Sequence, residues 1–276
     1  MRETSLVTHH ASRIRGCQPP EFLKNLKSLP SPISNLQSLV NTSALPDKNL
    51  LKEQTAWLAP ARGRLLRRVG VARRRRILDL GAGYGAVTGE LLRRGGGWVA
   101  ALDREFTAVS HTPALNVNGD VAHLPFAANT FDLVFGQCVL LWVGDGATAV
   151  AEIQRVLEPG GVFIALEPDY AGMIEQPPDI ATRDLWLAAL ARAGAEPEIG
   201  RKLPGILAAQ GFTVRVDLLE EVKRPSSTRF DFLRQLPLTP AEQTQLARAE
   251  NAARQLSDDW AQIAHLPFFL ISASKP

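Results

Sequence analysis

The stretch that decides the fold is ILDLGAGYGAVTGEL, residues 77–91. An apolar run with a single acid, Asp79, leads into three glycines at alternate positions, Gly81, Gly83 and Gly85. Glycine adopts the backbone conformations that tight turns require, and the pattern after the turn suits a helix. A strand that ends in glycines and continues as a helix is typical of a loop that binds a nucleotide-like ligand.

Strands and helices alternate after this turn as well. Apolar runs of strand length follow at WVAALDRE, LNVNGDV, FDLVFGQCVLLWV and GVFIALEPD, the last introduced by the turn EPGG. Helical patterns at GAVTGELLRRG, FTAVSHT and DGATAVAEIQRVL separate them. Alternation of this kind predicts parallel strands joined by right-handed crossovers, and therefore a doubly wound α/β sheet with helices on both faces.

The two ends of the chain differ from this middle part. Residues 1–49 are rich in Ser, Pro and Asn, and we expect them to be a poorly structured extension, either a flexible arm or a transit-like segment. From residue 50 a helical pattern begins, in which Pro60 predicts a kink or a boundary between two short helices. After GVFIALEPD we expect two further helices, a strand FTVRVDLLEEV, a mainly helical segment at residues 225–265, and a last strand PFFLISASKP.

Composition narrows the range of functions. The 276 residues carry a net charge of only +3, but residues 1–76 hold 15 Lys and Arg against 4 Asp and Glu. Such asymmetry indicates either an anionic partner or simply a basic, solvated surface. Two cysteines, Cys17 and Cys138, form no metal-ligand spacing and predict no disulfide framework, and no apolar run is long enough for a membrane span. We therefore expect a cytoplasmic protein without a metal site.

The glycine turn is compatible with two kinds of nucleotide cofactor. It satisfies the dinucleotide pattern G-x-G-x-x-G/A, and it equally satisfies G-x-G-x-G with an acid two residues earlier. Asp103 lies 22 residues after Gly81, at the end of the second predicted strand. Both patterns include an acidic residue at this position, because a carboxylate accepts hydrogen bonds from ribose hydroxyls. Turn and acid together indicate an adenosine-type ligand rather than one particular cofactor.

The segments that follow resemble the class I S-adenosylmethionine-dependent methyltransferases, particularly the group that acts on small molecules. Five motifs occur in the order of that family, namely LDLGAGYG, ALD, GDVAHLPF, FDLVFGQCVLLW and RVLEPGG. The resemblance covers roughly residues 55–276. It implies a Rossmann-like sheet of seven strands, of which the last runs antiparallel between two others, and a methyltransferase domain at residues 50–276.

The same resemblance implies a role for each matching residue. Gly81, Gly83 and Gly85 would let the backbone approach the methionine part of S-adenosylmethionine. Asp79 would lie near its ammonium group, where a carboxylate offers a charge-assisted hydrogen bond, and Asp103 would accept both ribose hydroxyls.

Three more positions complete the cofactor site that the resemblance implies. Asp120 would accept the adenine amino group, with the backbone of Val121 beside it. Gln137, after the fourth strand, would lie near the methionine end and the sulfonium. Each also has a purely structural interpretation, as a turn residue or as a polar strand end.

The residues that act on the substrate are not evident from the sequence. The sulfonium is already a good leaving group, so the protein has to align the acceptor and, for a hydroxyl, supply a base. LEPDY follows the fifth strand at the edge where ligands bind, which makes Glu167, Asp169 and Tyr170 the candidates. Two histidines, His111 and His123, could also act as a base, but we expect both to be surface residues.

We therefore predict methyl transfer from S-adenosylmethionine to a small-molecule acceptor. Three alternatives stay open at this point. They are an RNA or protein methyltransferase that docks through its basic N-terminal region, a non-catalytic cofactor-binding protein, and an NAD(P)-dependent oxidoreductase. The acceptor atom and the oligomeric state do not follow from the sequence.

Overall fold

A computed structural model describes residues 46–110, 112–219, 221–256 and 260–276. Most of the predicted N-terminal extension, residues 1–49, lies outside this part of the chain, as does His111. The first described helix, α1, is Lys48–Arg68, two residues earlier than the predicted domain boundary. The side chain of Asp47 caps it by accepting hydrogen bonds from the N–H groups of Asn49 and Leu50.

Of the two possibilities at Pro60, the boundary between two short helices is wrong, because α1 continues through this residue. A proline inside a helix leaves the carbonyl four residues earlier without its N–H partner. Here that carbonyl belongs to Ala56, and both Ala56 and Pro60 are exposed. The helix continues because water is available to the carbonyl, while Leu58, Leu65 and Leu66 bury its opposite face.

Seven strands form one sheet in the order β3-β2-β1-β4-β5-β9-β7. They are β1 Arg76–Leu80, β2 Trp98–Asp103, β3 Leu115–Asn118, β4 Phe131–Gln137, β5 Leu157–Pro168, β7 Thr213–Leu218 and β9 Phe268–Ser274. The first five pair in parallel, and β9 runs antiparallel between β5 and β7. The predicted seven-stranded sheet with an inserted antiparallel last strand is confirmed.

Helices cover both faces of the sheet. Helix α1 and α2 (Thr88–Arg94) bury their apolar residues against one face. The other face packs against α4 (Gly146–Val156), α5 (Arg183–Arg192) and α6 (Ile199–Ala209). The short helix α3 (Phe106–Val109) follows β2. Because strands buried on both faces need apolar residues throughout, β2 and β4 read as nearly continuous hydrophobic runs.

Strand β5 begins earlier than predicted, at Leu157. The expected turn EPGG lies inside the strand, opposite a shift of register between Phe131 and Leu133 of β4. Gly160, with φ of 75°, provides the left-handed backbone that such an irregularity requires.

The segment between β7 and β9 contains α7 (Arg229–Arg234), α8 (Pro240–Gln255) and a strand β8 (Ile263–His265). Helix α8 begins with a capping box between Thr239 and Glu242. Strand β8 was not predicted. It pairs antiparallel with β6 (Ile174–Gln176), a short strand in the loop after β5. The insertion is therefore attached to the loop at the carboxyl edge of the sheet.

Candidate functional site

The glycine loop follows β1 at the carboxyl edge of the parallel strands. Gly81, Gly83 and Gly85 have φ angles of 63°, 50° and 75°. A Cβ atom at Gly81 would lie 2.5 Å from a methyl group of Val139, and one at Gly85 would lie 2.4 Å from a methyl group of Thr112. A Cβ atom at Gly83 would meet no atom of residues 46–110, 112–219, 221–256 or 260–276 within 4 Å. Two of the glycines therefore permit close packing, and Gly83 has open space beside it in this part of the chain.

Asp103, at the end of β2, fastens this loop. Its Oδ2 accepts a hydrogen bond of 2.7 Å from the N–H of Gly83, and its Oδ1 accepts one of 2.9 Å from Glu105. The N–H of Ala82 also donates to the carbonyl of Leu102, at 3.0 Å. Each carboxylate oxygen of Asp103 keeps a further lone pair, so the residue can hold the loop and still accept from a ligand.

Asp79 is buried beneath the same loop, at 3% exposure. Its Oδ2 accepts a 2.5 Å hydrogen bond from the hydroxyl of Thr88, at the start of α2. Burial raises the pKa of Asp79 to about 7, opposed by the Thr88 hydrogen bond and the charge of Arg62 and reinforced by the charge of Asp103. A carboxylate in this situation gains most from an additional cationic partner.

The loop after β3 lies next to the end of β2, because the N–H of Gly119 donates to the carbonyl of Asp103 at 3.2 Å. In this loop the Oδ1 of Asp120 accepts a 2.8 Å hydrogen bond from Ala122. Val121 is buried and packs in the core. Asp120 thus forms a turn, in agreement with its structural interpretation. Its other carboxylate oxygen, Oδ2, makes none of the hydrogen bonds described for this turn.

Gln137 ends β4, and its Oε1 accepts a 2.9 Å hydrogen bond from Nη1 of Arg62. Arg62 was not among the site residues predicted from the sequence. It belongs to α1, 75 positions before Gln137, and its one unusual feature in the sequence is that it is an arginine at a buried position of an amphipathic helix. Its side chain is 3% exposed. The structure places this cation at the glycine-loop edge of the sheet.

Of the three candidates after β5, Glu167 has a structural task. It is fully buried and accepts hydrogen bonds from the N–H groups of Val139, Leu140 and Leu141, at 3.0, 3.0 and 3.4 Å. Burial raises its pKa to about 7, against the opposing effect of these hydrogen bonds. Glu167 therefore shapes the loop after β4, which in turn packs on Gly81 through Val139.

Asp169 is the more promising contact for a substrate. Its Oδ2 accepts from Nε and Nη2 of Arg201 at 2.8 and 2.6 Å, and the side chain is about 5% exposed. Its Oδ1 is buried and has no hydrogen-bond partner among the described residues. A buried polar atom without a partner is costly, and a water molecule or a ligand group can supply the missing hydrogen bond.

Tyr170 lies next to this carboxylate and is buried, with its ring centroid 4.7 Å from that of Trp186. Burial, together with the nearby Cys138 and Glu167, raises the pKa of its hydroxyl well above the usual range. Its ring therefore packs against Trp186, and its hydroxyl keeps its proton at neutral pH. His123 is exposed, as predicted, and among the described residues no cluster of His, Cys, Asp and Glu could hold a metal ion.

Comparison with known proteins adds a family signature to this geometry. The sequence pattern described as "Methyltransferase domain" matches residues 78–165, from β1 to β5. This range contains the glycine loop and every residue predicted to bind the cofactor. Outside it lie Arg62 and the three residues after β5 at 167, 169 and 170.

Three curated relatives each match about a third of the chain. A biotin biosynthesis bifunctional protein BioHC of Cellvibrio japonicus is 38% identical over 32% of this chain. The mitochondrial arginine-hydroxylase NDUFAF5 of Rattus norvegicus is 36% identical over 32%, and a dimethylglycine N-methyltransferase of Parasynechococcus marenigrum 32% identical over 36%. The matches span only 18%, 27% and 39% of the relatives' own lengths.

The fold itself extends further than the sequence match. The crystal structure of the YcgJ protein from Bacillus subtilis superimposes with a TM-score of 0.58, covering 79% of this chain and 98% of the other. The sequence identity is 17%, so this likeness concerns the fold.

Proposed function

We propose, from the premise that this chain contains a class I S-adenosylmethionine-dependent methyltransferase domain, that it transfers a methyl group from S-adenosylmethionine to a small-molecule acceptor. The observation that carries the proposal is the position of Gly83. A Cβ atom at Gly83 would meet none of the described atoms within 4 Å, and the N–H of Gly83 donates to the buried carboxylate of Asp103. A second buried carboxylate, Asp79, precedes the same loop, so ribose hydroxyls and an amino-acid ammonium group both find acceptors here.

The residues present fit this cofactor. Asp103 accepts from the ribose hydroxyls through the lone pairs that Gly83 and Glu105 leave free. Asp79 accepts from the ammonium group, and Asp120 with Val121 flanks the adenine. When bound, the cofactor supplies a methyl group on a sulfonium, which is a good leaving group without help from the protein. The protein is left to orient the acceptor and exclude water.

The substrate end of the site lies after β5. Asp169 offers Oδ1 as an acceptor for an O–H or N–H group of the substrate, beside the buried rings of Tyr170 and Trp186. These surroundings suit a small, partly apolar molecule with at least one hydrogen-bond donor. The relative named as a dimethylglycine N-methyltransferase supports a small-molecule acceptor.

Docking of nucleic acid through the basic N-terminal region is the weaker alternative. In the run Arg73 to Arg76, the side chains of Arg74 and Arg75 donate to backbone carbonyls of Asp132 and Gly96. Arg76 forms an ion pair with Glu158. Because these arginines make contacts within the fold, fewer of them are available to bind the phosphate groups of a nucleic acid than the sequence indicates.

We also place the protein in a reducing compartment such as the cytoplasm. The support is Cys138, a partly buried thiol that forms no disulfide with any described residue. Burial, with the charge of Glu167, raises the pKa of this thiol well above its usual value. No described helix is long and apolar enough to cross a membrane.

Calorimetric titration with S-adenosylmethionine, S-adenosylhomocysteine and NAD tests the proposal, followed by release of S-adenosylhomocysteine over a panel of small amines, alcohols and carboxylic acids. We expect binding of the two sulfur nucleotides and turnover of a subset of the panel. Because one relative is named as a hydroxylase, binding of S-adenosylmethionine alone does not establish methyl transfer. NAD binding, or binding of S-adenosylmethionine with no turnover of any small or macromolecular acceptor, would contradict the proposal.

A further inference from the structure

A buried arginine of α1 joins three parts of the cofactor edge. Nε and Nη2 of Arg62 both lie 2.8 Å from Oε2 of Glu90, in α2. Nη1 donates to the carbonyl of Thr55 at 3.1 Å and to Oε1 of Gln137 at 2.9 Å. Since the guanidinium has five N–H donors, this single side chain connects α1, α2 and the end of β4.

The contact with Arg62 determines which way Gln137 presents its amide. A guanidinium is only a donor, so the carbonyl oxygen of Gln137 has to face it. The amide nitrogen is consequently turned away from Arg62, and neither of its N–H groups donates to a described residue. Gln137 is thus able to donate to an anionic group, such as the carboxylate at the methionine end of the cofactor.

Arg62 also provides the positive charge that acts on Asp79. The groups that face Asp79 are Thr88 of α2, Asp103 of β2 and Arg62 of α1. Its partners in the sheet, Ala101 and Phe135, carry no charge. Arg62 favours the ionised form of Asp79, whereas burial and Asp103 oppose it.

Neutralising Glu90 does not explain why a cation is buried here. Glu90 already has a second partner, Arg94, whose Nη1 lies 2.5 Å from Oε1. Arg94 is partly exposed, so its ion pair needs little desolvation, whereas the buried Arg62 loses much more of its hydration. Each arginine also donates to a backbone carbonyl, Arg62 to Thr55 and Arg94 to Gly63. Arg62 differs from Arg94 in its hydrogen bond to Gln137 and in the effect of its charge on Asp79.

We propose that Arg62 is a positioning residue for the amino-acid end of the cofactor, which turns the amide donors of Gln137 into the site and holds a positive charge beside Asp79. The inference rests on the proposed function. It assigns the carboxylate of the ligand to Gln137 and the ammonium group to Asp79, and it makes α1 a part of the cofactor site although this helix lies outside the methyltransferase pattern.

The test is calorimetric titration of the full chain with S-adenosylhomocysteine, from about pH 6 to about pH 8.5. Arg62→Met removes the charge and the hydrogen bonds at similar length, and Arg62→Lys keeps the charge. Arg94→Met is the matched control, because it removes the other arginine on Glu90 without touching Gln137. The double variant Arg62→Met with Glu90→Gln removes both charges of the buried pair. It therefore leaves no carboxylate deprived of its partner, which could prevent folding.

We expect Arg62→Met to raise the Kd about tenfold near neutral pH, which is the effect of one charge-assisted hydrogen bond. The deficit should shrink as the pH rises, because Asp79 ionises without help at higher pH. Arg62→Lys should lie between wild type and Arg62→Met, the double variant should behave like Arg62→Met, and Arg94→Met should bind like wild type.

An unchanged Kd in the folded double variant would overturn the inference. A loss of affinity of the same size at every pH, with no rescue by lysine, would also overturn it. The effect of an arginine with a purely structural role does not vary with the ionisation of Asp79. Failure of the wild-type protein to bind S-adenosylhomocysteine is a separate result, which refutes the proposed function itself.

Discussion

The N–H of Gly83 donates a 2.7 Å hydrogen bond to Oδ2 of Asp103, 20 positions later in the chain. This bond joins the loop after β1 to the end of β2, so the residue proposed to bind the ribose also shapes the loop proposed to bind the amino-acid end. Cofactor affinity and loop geometry are therefore coupled through one carboxylate.

We expect Asp103→Ala to raise the Kd for S-adenosylhomocysteine roughly 100-fold, because it removes a ligand acceptor and leaves a loop N–H without its partner. Asp103→Asn should lose less, since one oxygen remains to accept from Gly83. The measurement is calorimetric titration, with Asp184→Ala, an exposed acid on α5, as the control. Wild-type affinity in a folded Asp103→Ala would show that the ribose lies elsewhere.

The glycine loop offers a comparison between two neighbouring positions. Both Gly81→Ala and Gly83→Ala force alanine into a left-handed backbone, at a cost of roughly 1 kcal/mol. Gly81→Ala also drives its Cβ into Val139, so it should lose clearly more stability to urea. The added Cβ of Gly83→Ala meets no atom of the residues that the structure describes, so this variant should mainly lose affinity for S-adenosylhomocysteine. Equal stability losses with wild-type affinity for Gly83→Ala would mean that no ligand occupies this side of the loop.

Stability should depend on pH through Glu167, whose pKa is raised from 4.5 to about 7. Between these values the folded protein keeps a proton that the unfolded chain has released, so its stability falls as the pH rises towards 7. Glu167→Gln cannot titrate. The stability advantage of wild type over Glu167→Gln should therefore shrink by on the order of 2 kcal/mol between about pH 5.5 and about pH 8.

Urea unfolding of both proteins across this range measures the difference directly. Asp79 also has a raised pKa, but it is present in both proteins and cancels. A difference that is constant with pH would mean that Glu167 titrates near its ordinary value. The experiment is independent of any ligand.

Asp169→Asn should reveal the substrate subsite. Arg201 requires an oxygen at the position of Oδ2, so the amide N–H₂ of the variant takes the place of Oδ1 and turns an acceptor into a donor. We expect an unchanged Kd for S-adenosylhomocysteine and a KM for the acceptor raised at least about tenfold, in steady-state assays. Arg201→Gln, which breaks the ion pair but leaves the carboxylate, is the control. An unchanged KM in Asp169→Asn would remove Asp169 from the substrate site.

Some of these relationships are visible in the sequence because they are local. The apolar run of β1, the alternate glycines and Asp103 at the end of the next strand belong to one strand-turn-helix-strand unit. The order of the motifs also pointed to the sheet of seven strands, and that prediction is confirmed. The roles of Asp79, Asp120 and Gln137 towards the cofactor stay predictions until a ligand is bound.

Other relationships depend on residues far apart in the chain. The continuity of α1 through Pro60 depends on which face of the helix the sheet covers. The pairing of β8 with β6 depends on where the insertion folds back. Glu167 looked like a candidate for the chemistry, and only its position beneath the N–H groups of residues 139–141 revealed its structural task.

The sequence by itself determined the doubly wound sheet, the glycine loop and the kind of ligand that such a loop accepts. These follow from backbone preferences and hydrophobic periodicity, which act over a few neighbouring residues. Only the tertiary structure decided that Arg62 meets Gln137 across 75 positions, and that Oδ1 of Asp169 is buried without a hydrogen-bond partner in the described part of the chain. Burial and side-chain contact arise when distant elements pack, and no short pattern of residues records which ones will meet.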